Sequence, residues 1–219
     1  MRTQALALLL AAAGCTDSAS STVDYDHLAS ILGASVATPD AGGETGALAD
    51  SAILARGGLP VGFTDADGVV TGMHDGIRYT YMVFCQDMAG AATTCSPVTG
   101  KAFAIAEWSS PTQKRAGLWT LEHLQGSTAS VTGRSALTHT SDGMNVNDDR
   151  NEAFLLDLGT YQPKHGEIAT ELAITSSDGT LINGAIQFNS TRLALISLPG
   201  HVYQVDLDTG DVVPVSILR

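Results

Sequence analysis

Apolar and polar positions divide the chain into two regimes. Before about residue 60 the apolar positions recur three and four apart, and from residue 68 onward they alternate. In "STVDYDHLASILGASVATPD", Tyr25, Leu28, Ala29, Leu32 and Val36 fall on one helical face. Ser21 and Asp24 stand at capping-box spacing, and Pro39 with Gly42 and Gly43 ends the run. "ETGALADSAILARGGLP" predicts a second short helix, with Thr45 near its start and Gly57-Gly58 then Pro60 as its stop.

The strand signal begins in "GIRYTYMVFC", where Ile77, Tyr79, Tyr81, Val83 and Cys85 share one face. "KAFAIAEW" places Phe103 and Ile105 together, and "GLWTLEHL" pairs Trp119 with Leu121. "STASVTGRSALTHT" and "NEAFLLDLG" follow, separated by the polar "SDGMNVNDDRNE" (141–152), which reads as a surface loop. "EIATELAIT" sets Ile168, Thr170, Leu172 and Ile174 against Glu167, Ala169, Glu171 and Ala173. "TLINGAIQFN", "RLALIS", "HVYQVDLD" and "DVVPVSIL" complete the series.

Turns between these runs are short. Ser177-Asp178-Gly179 and Asp208-Thr209-Gly210 place glycine where positive φ is needed, and Pro199-Gly200 is the centre of a type II turn. Pro214 marks an edge strand, while Asn183-Gly184 is open to reading as one more hairpin turn. Connections this short join antiparallel neighbours, because parallel neighbours need a long crossover. The expected fold is therefore mainly β. An antiparallel meander of about nine or ten strands forms a strongly curved sheet or incomplete barrel, with one or two N-terminal helices packed on it.

Composition narrows the setting. The chain has 219 residues, 44% hydrophobic and 16% charged, which suits a folded domain. With 11 basic and 23 acidic residues its net charge is −12, a field that repels phosphate backbones and argues against a nucleic-acid partner. No apolar run after residue 14 approaches the roughly 20 residues that a membrane-crossing helix needs.

The first residues read as an export signal: Arg2 supplies a positive end, and Ala5 to Ala13 is apolar but too short to span a bilayer. Ala12-Ala13-Gly14-Cys15 resembles the lipobox of bacterial lipoproteins, with Ala12 where leucine is commonest. The resemblance covers residues 1–17 and implies cleavage before Cys15, diacylglycerol on its sulfur, and acylation of the new amine. Thr16, rather than aspartate, follows the cysteine, which in that family implies the outer membrane. Ordinary cleavage after Ala13 is the competing reading. It would leave Cys15 a free thiol beside two other cysteines, whereas lipidation consumes it and leaves an even pair. The division is thus a signal peptide at 1–14, a serine-rich tether at 15–22, and one β-rich domain at 23–219 with its helices in 23–60.

Candidate chemistry is sparse. Cys85 and Cys95 enclose "QDMAGAATT", a spacing suited to a local disulfide in an exported protein. The six histidines form no metal-ligand pair, and Ser135 in "GRSAL" and Ser197 in "LISLP" lack a nucleophile elbow. "CSPVTGKA" lacks the first glycine and the final hydroxyl of a phosphate loop. Asn145, Asn147, Asp148 and Asp149 offer the oxygens that calcium takes, as do Asp65 and Asp67 in "DADG", which lacks the closing glutamate of an EF-hand loop. No other cofactor is indicated.

Among strand aromatics, which also include Phe103, Phe188 and Tyr203, the candidate ligand-binding residues are Tyr79, Tyr81 and Trp119; the alternative is a core packed against the helices. The expected function is that of a membrane-anchored extracytoplasmic lipoprotein. It is non-enzymatic and binds a small or hydrophobic ligand or serves envelope structure. The alternatives are an adhesion or assembly module for a basic protein partner, and a hydrolase using Glu122, His123 and Asp157.

Overall fold

The computed structural model describes residues 23–37, 43–74, 76–111, 113–141, 144–174 and 180–215. Two helices come first, α1 (Tyr25–Val36) and α2 (Glu44–Ala55). Thirteen strands follow: β1 (Thr64–Ala66), β2 (Val69–His74), β3 (Ile77–Gln86), β4 (Ala92–Thr93), β5 (Lys101–Ser109), β6 (Gln113–Glu122) and β7 (Thr128–Ser141), then β8 (Met144–Asp157), β9 (Pro163–Ile174), β10 (Thr180–Asn189), β11 (Leu193–Leu198), β12 (His201–Asp206) and β13 (Val212–Pro214). They form one antiparallel meander in sequence order, with β4 hanging on β3 and with β1 and β13 as unjoined edges. The architecture is the mainly β, unclosed sheet that the alternation predicts. The strands beyond the ten marked by the pattern are β1, β2 and β4, which are short or lack clean alternation.

The helices lie inside the curl. Every residue of α2 except Ile53 is buried, so the helix is enclosed on all sides. It packs on β3 and β5 while α1 packs on β11, β12 and β13. Arg56, capping α2, donates to the carbonyl of Leu158 just beyond β8 at 3.3 Å. Small residues make this enclosure fit. Ala102, Ala104 and Ala106 give β5 a shallow inner face under α2. A Cβ on Gly33 of α1 would stand 2.8 Å from the Gly210 carbonyl oxygen, so only glycine allows that approach. One continuous core results.

Several local expectations change. Asp24 caps α1, its Oδ1 accepting from the His27 N–H at 3.0 Å; Ser21 lies outside the described residues. Phe103 and Ile105 face outward, because the alanines between them take the inner side. Asn183-Gly184 is not a turn but the middle of β10, opposite Glu171 and Thr170. The largest correction concerns the expected loop at 141–152, of which Met144 onward is strand: β7 and β8 pair from Thr128↔Asp157 to Ser141↔Met144. The alternation is hidden there because the inward positions of β8 are charged.

Candidate functional site

The inner face of β8 runs Val146, Asp148, Arg150, Glu152, Phe154, Leu156, all buried. Its charged trio meets Arg115 of β6, Ser135 of β7 and the junction of the two helices. Glu44, the first residue of α2, accepts from Arg115 Nη1 at 2.9 Å and from Arg150 Nη1, and Ser135 Oγ donates to its other oxygen. Arg150 grips Asp148 with Nε and Nη2, both at 2.7 Å. Ser35, at the end of α1, accepts from Arg115 Nη1 at its carbonyl (3.0 Å) and from Arg150 Nη2 at its hydroxyl.

Charge balance explains the protonation states. Burial alone would raise the Glu44 carboxyl, but the adjacent guanidiniums of Arg115 and Arg150 outweigh it and hold the group down at about 2. Glu152 is pushed up to about 10, first by burial and then by the charge on Glu44. Two guanidiniums offset Glu44 and Asp148, and the third carboxyl stays neutral. Trp119 Nε1 donates to one oxygen of Glu152. The other oxygen has no hydrogen-bond partner, which suits a carboxyl that keeps its proton. All of this is sealed from solvent, so the cluster is a clamp that fixes the helix junction to the sheet.

Tyr79, Tyr81 and Trp119 stand on the inner face but within the core. Their rings join Phe63 and Trp108 in a run of contacts with centroids 5.8–6.2 Å apart. Tyr81 also donates its hydroxyl to Asp50 of α2 at 2.9 Å. The Cys85–Cys95 disulfide is formed. The four residues proposed for calcium do not share one face, since Asp148 is buried while Asn145, Asn147 and Asp149 are exposed. Asp148 points inward to Arg150, whereas Asn147 and Asn145 accept from Thr138 and Thr140 across the strand pair. Cys15 lies outside the described residues. Sequence reasoning missed Glu44, Arg115, Arg150 and Glu152. The available signal was the period-two spacing of Asp148, Arg150 and Glu152 between Val146 and Phe154.

With the helices filling the interior, the open surface of the strands is their outer face. There the strand register brings Met82, Ile105 and Leu118 into one cross-strand row and Phe84, Phe103 and Thr120 into the next. Phe84 and Leu118 are each 57% exposed, a large apolar commitment to solvent. Two adjoining furrows of about 520 and 630 Å³ open over these strands and share Ala116 and Ala136 in their floor.

Beyond the Phe84 row lies a third recess of about 530 Å³, lined by Met88, Lys101, Glu122 and His123 and bordered by the disulfide-tied loop. Met88 is 80% exposed and Val98 71%. Glu122 is ion-paired to Lys101 at 2.7 Å, and Asp157 to Lys164 at 2.7 Å. Asp157 lines a different recess. Among the described residues no hydrogen bond joins His123 to either carboxylate, so the trio considered for hydrolysis is not assembled.

Comparison with protein-family models, with curated proteins and with solved structures finds no match.

Proposed function

We propose that the chain is a lipid-anchored, non-catalytic module of the bacterial cell envelope, held at the outer membrane through acylated Cys15. It binds a small or hydrophobic ligand on the outer face of β3, β5 and β6. One observation carries the reading: the enclosed space is occupied by α1 and α2, while exposed Leu118 lines one of two adjoining outer furrows and exposed Phe84 stands one row beyond it. A domain that binds at its surface has no need of a hollow barrel, and its core can be spent on rigidity.

Topology supports an anchored orientation. Tyr25, where α1 begins, stacks on His201 at the turn between β11 and β12, with ring centroids 4.5 Å apart. The disulfide-tied loop sits at the opposite ends of the strands, about 30 Å away for a strand as long as β3. Helix α1 therefore begins at one end of the body, and the Met88 recess caps the other.

Two measurements test this reading. Cys15→Ala should abolish palmitate labelling and membrane pelleting; unchanged labelling refutes the anchor. Native mass spectrometry of protein from its own envelope should show a bound mass that Leu118→Asp removes; a bound mass indifferent to that change refutes the surface.

A further inference from the structure

The outer furrow also has a charge pattern that the rest of the molecule lacks. Arg56, Lys101, Lys164 and Arg192 are committed to a carbonyl or a carboxylate, and Arg115 and Arg150 belong to the buried clamp. Among the described residues this leaves Arg78, Lys114 and Arg134, all exposed and without an ion pair, and all three line the two joined furrows. In a chain of net charge −12, every uncommitted cation among the described residues thus faces one place. Register sets Arg78, Ser109, Lys114 and Thr138 side by side in one row, two cations alternating with two hydroxyls. Glu107 and Asp149 line the furrow as well, one row further along, so this first row is its acid-free part.

Past the intervening row of Thr80, Glu107, Ala116 and Ala136, the outer surface turns apolar through Met82, Ile105 and Leu118, then Phe84 and Phe103, and ends at the Met88 recess. Same-face rows lie about 6.6 Å apart along a strand, so the track from the Arg78 row to the Gln86–Lys101–Glu122 row is about 26 Å long. The geometry points to a single-chain anionic amphiphile, a fatty-acid carboxylate, with its head at Arg78 and Lys114 and its alkyl chain along Leu118 and Phe84. This names the ligand of the surface proposed above and rests on that reading. A bound peptide is the poorer fit. The backbone groups of β5 and β6 are spent in ladders on both sides, so the face over them offers a peptide main chain no strand edge, whereas an alkyl chain asks for none.

The test titrates the full chain with oleate below its micellar concentration, and in parallel with methyl oleate and with acetate, using native mass spectrometry and tryptophan fluorescence. Trp108 contributes to the furrow wall and supplies the optical signal. Oleate should bind saturably, methyl oleate at least about tenfold more weakly, the scale of a lost charge-assisted contact, and acetate at least about tenfold more weakly for want of the alkyl chain. Arg78→Gln with Lys114→Gln should weaken oleate by about tenfold or more, and Phe84→Ser with Leu118→Ser by a similar factor. These side chains are exposed, so the core is untouched. Equal binding of oleate and methyl oleate, unaffected by the cation variants but lost in the apolar ones, overturns this inference and leaves the surface reading standing. Oleate binding indifferent to both pairs of substitutions, or no saturable binding, overturns the inference at its root.

Discussion

Arg150 of β8 and Glu44 of α2, 106 residues apart in sequence, form an ion pair in which both side chains are fully buried. The pair ties the helix junction to the middle of the sheet. Removing one member leaves the other charged and without water, which costs about 3–5 kcal/mol. Arg150→Met should therefore lower the thermal midpoint by roughly 6–20 °C for a domain of this size. Thermal unfolding followed by circular dichroism checks this; a shift below a few degrees would mean that the clamp contributes little.

Glu152 makes stability depend on pH. Its folded carboxyl holds its proton to about pH 10, whereas the unfolded group titrates near 4.5, so its contribution is complete below 4.5 and declines as pH rises towards 10. Asp50, raised by burial from 3.8 to about 6, adds a decline between those values. Glu44, lowered from 4.5 to about 2, acts in the opposite sense, and its contribution fades as pH falls through that window. The protein should be most stable on the acidic side of neutrality. Glu152→Gln, a neutral isostere, should flatten the decline between pH 5 and 9. Urea midpoints at pH 5, 7 and 9 for both proteins decide it, and parallel slopes would contradict the assignment.

Trp119 lies over Gly133 on the neighbouring strand β7, and that contact leaves no space for a methyl group. A Cβ at position 133 would stand 2.4 Å from the Leu118 carbonyl oxygen and 2.6 Å from Trp119 Cδ1. Because one of these neighbours is backbone, the strand pair itself would have to shift. Gly133→Ala is expected to cost about 1–3 kcal/mol, with a blue- or red-shifted Trp emission reporting the disturbed ring. Wild-type stability in that variant would show that the inner face is less tightly filled than described.

Cys85 and Cys95, 10 residues apart, bracket the loop beside the Met88 recess. Closing a loop of that size removes unfolded-state freedom worth about 2–3 kcal/mol. The double variant Cys85→Ala with Cys95→Ala should unfold at correspondingly lower urea concentration. Non-reducing peptide mapping of the exported protein should link the two cysteines, and two alkylatable thiols would count against the bridge.

Local rules reached a long way into this fold. Period-two alternation in β3, β6 and β9, the Pro199-Gly200 turn, and Pro214 on the edge strand are consequences of backbone geometry and side-chain placement, so neighbouring residues suffice to read them. The helices were legible for the same reason, through Leu28, Leu32 and Val36 and through the glycine stop after Ala55. What residues 141–152 do was not legible. Asp148, Arg150 and Glu152 sit on an inward strand face that ought to be apolar, and they are tolerable there only because Glu44, Arg115 and Ser35 arrive from distant parts of the chain.

The same division governs the site. A sequence displays Arg78, Ser109, Lys114 and Thr138 as unrelated positions, and only the register across β3, β5, β6 and β7 makes them one row. Likewise, alternation says that Tyr79 and Tyr81 share a face, but not whether that face meets a ligand or a helix. Sequence alone determined most of the strands and the Pro199-Gly200 turn, because these depend on covalent neighbours, and it alone carries the expectation of an address at Cys15. The tertiary structure alone decided that the interior is filled and that the open surface lies outside, because burial and electrostatic pairing are properties of groups brought together across the sheet.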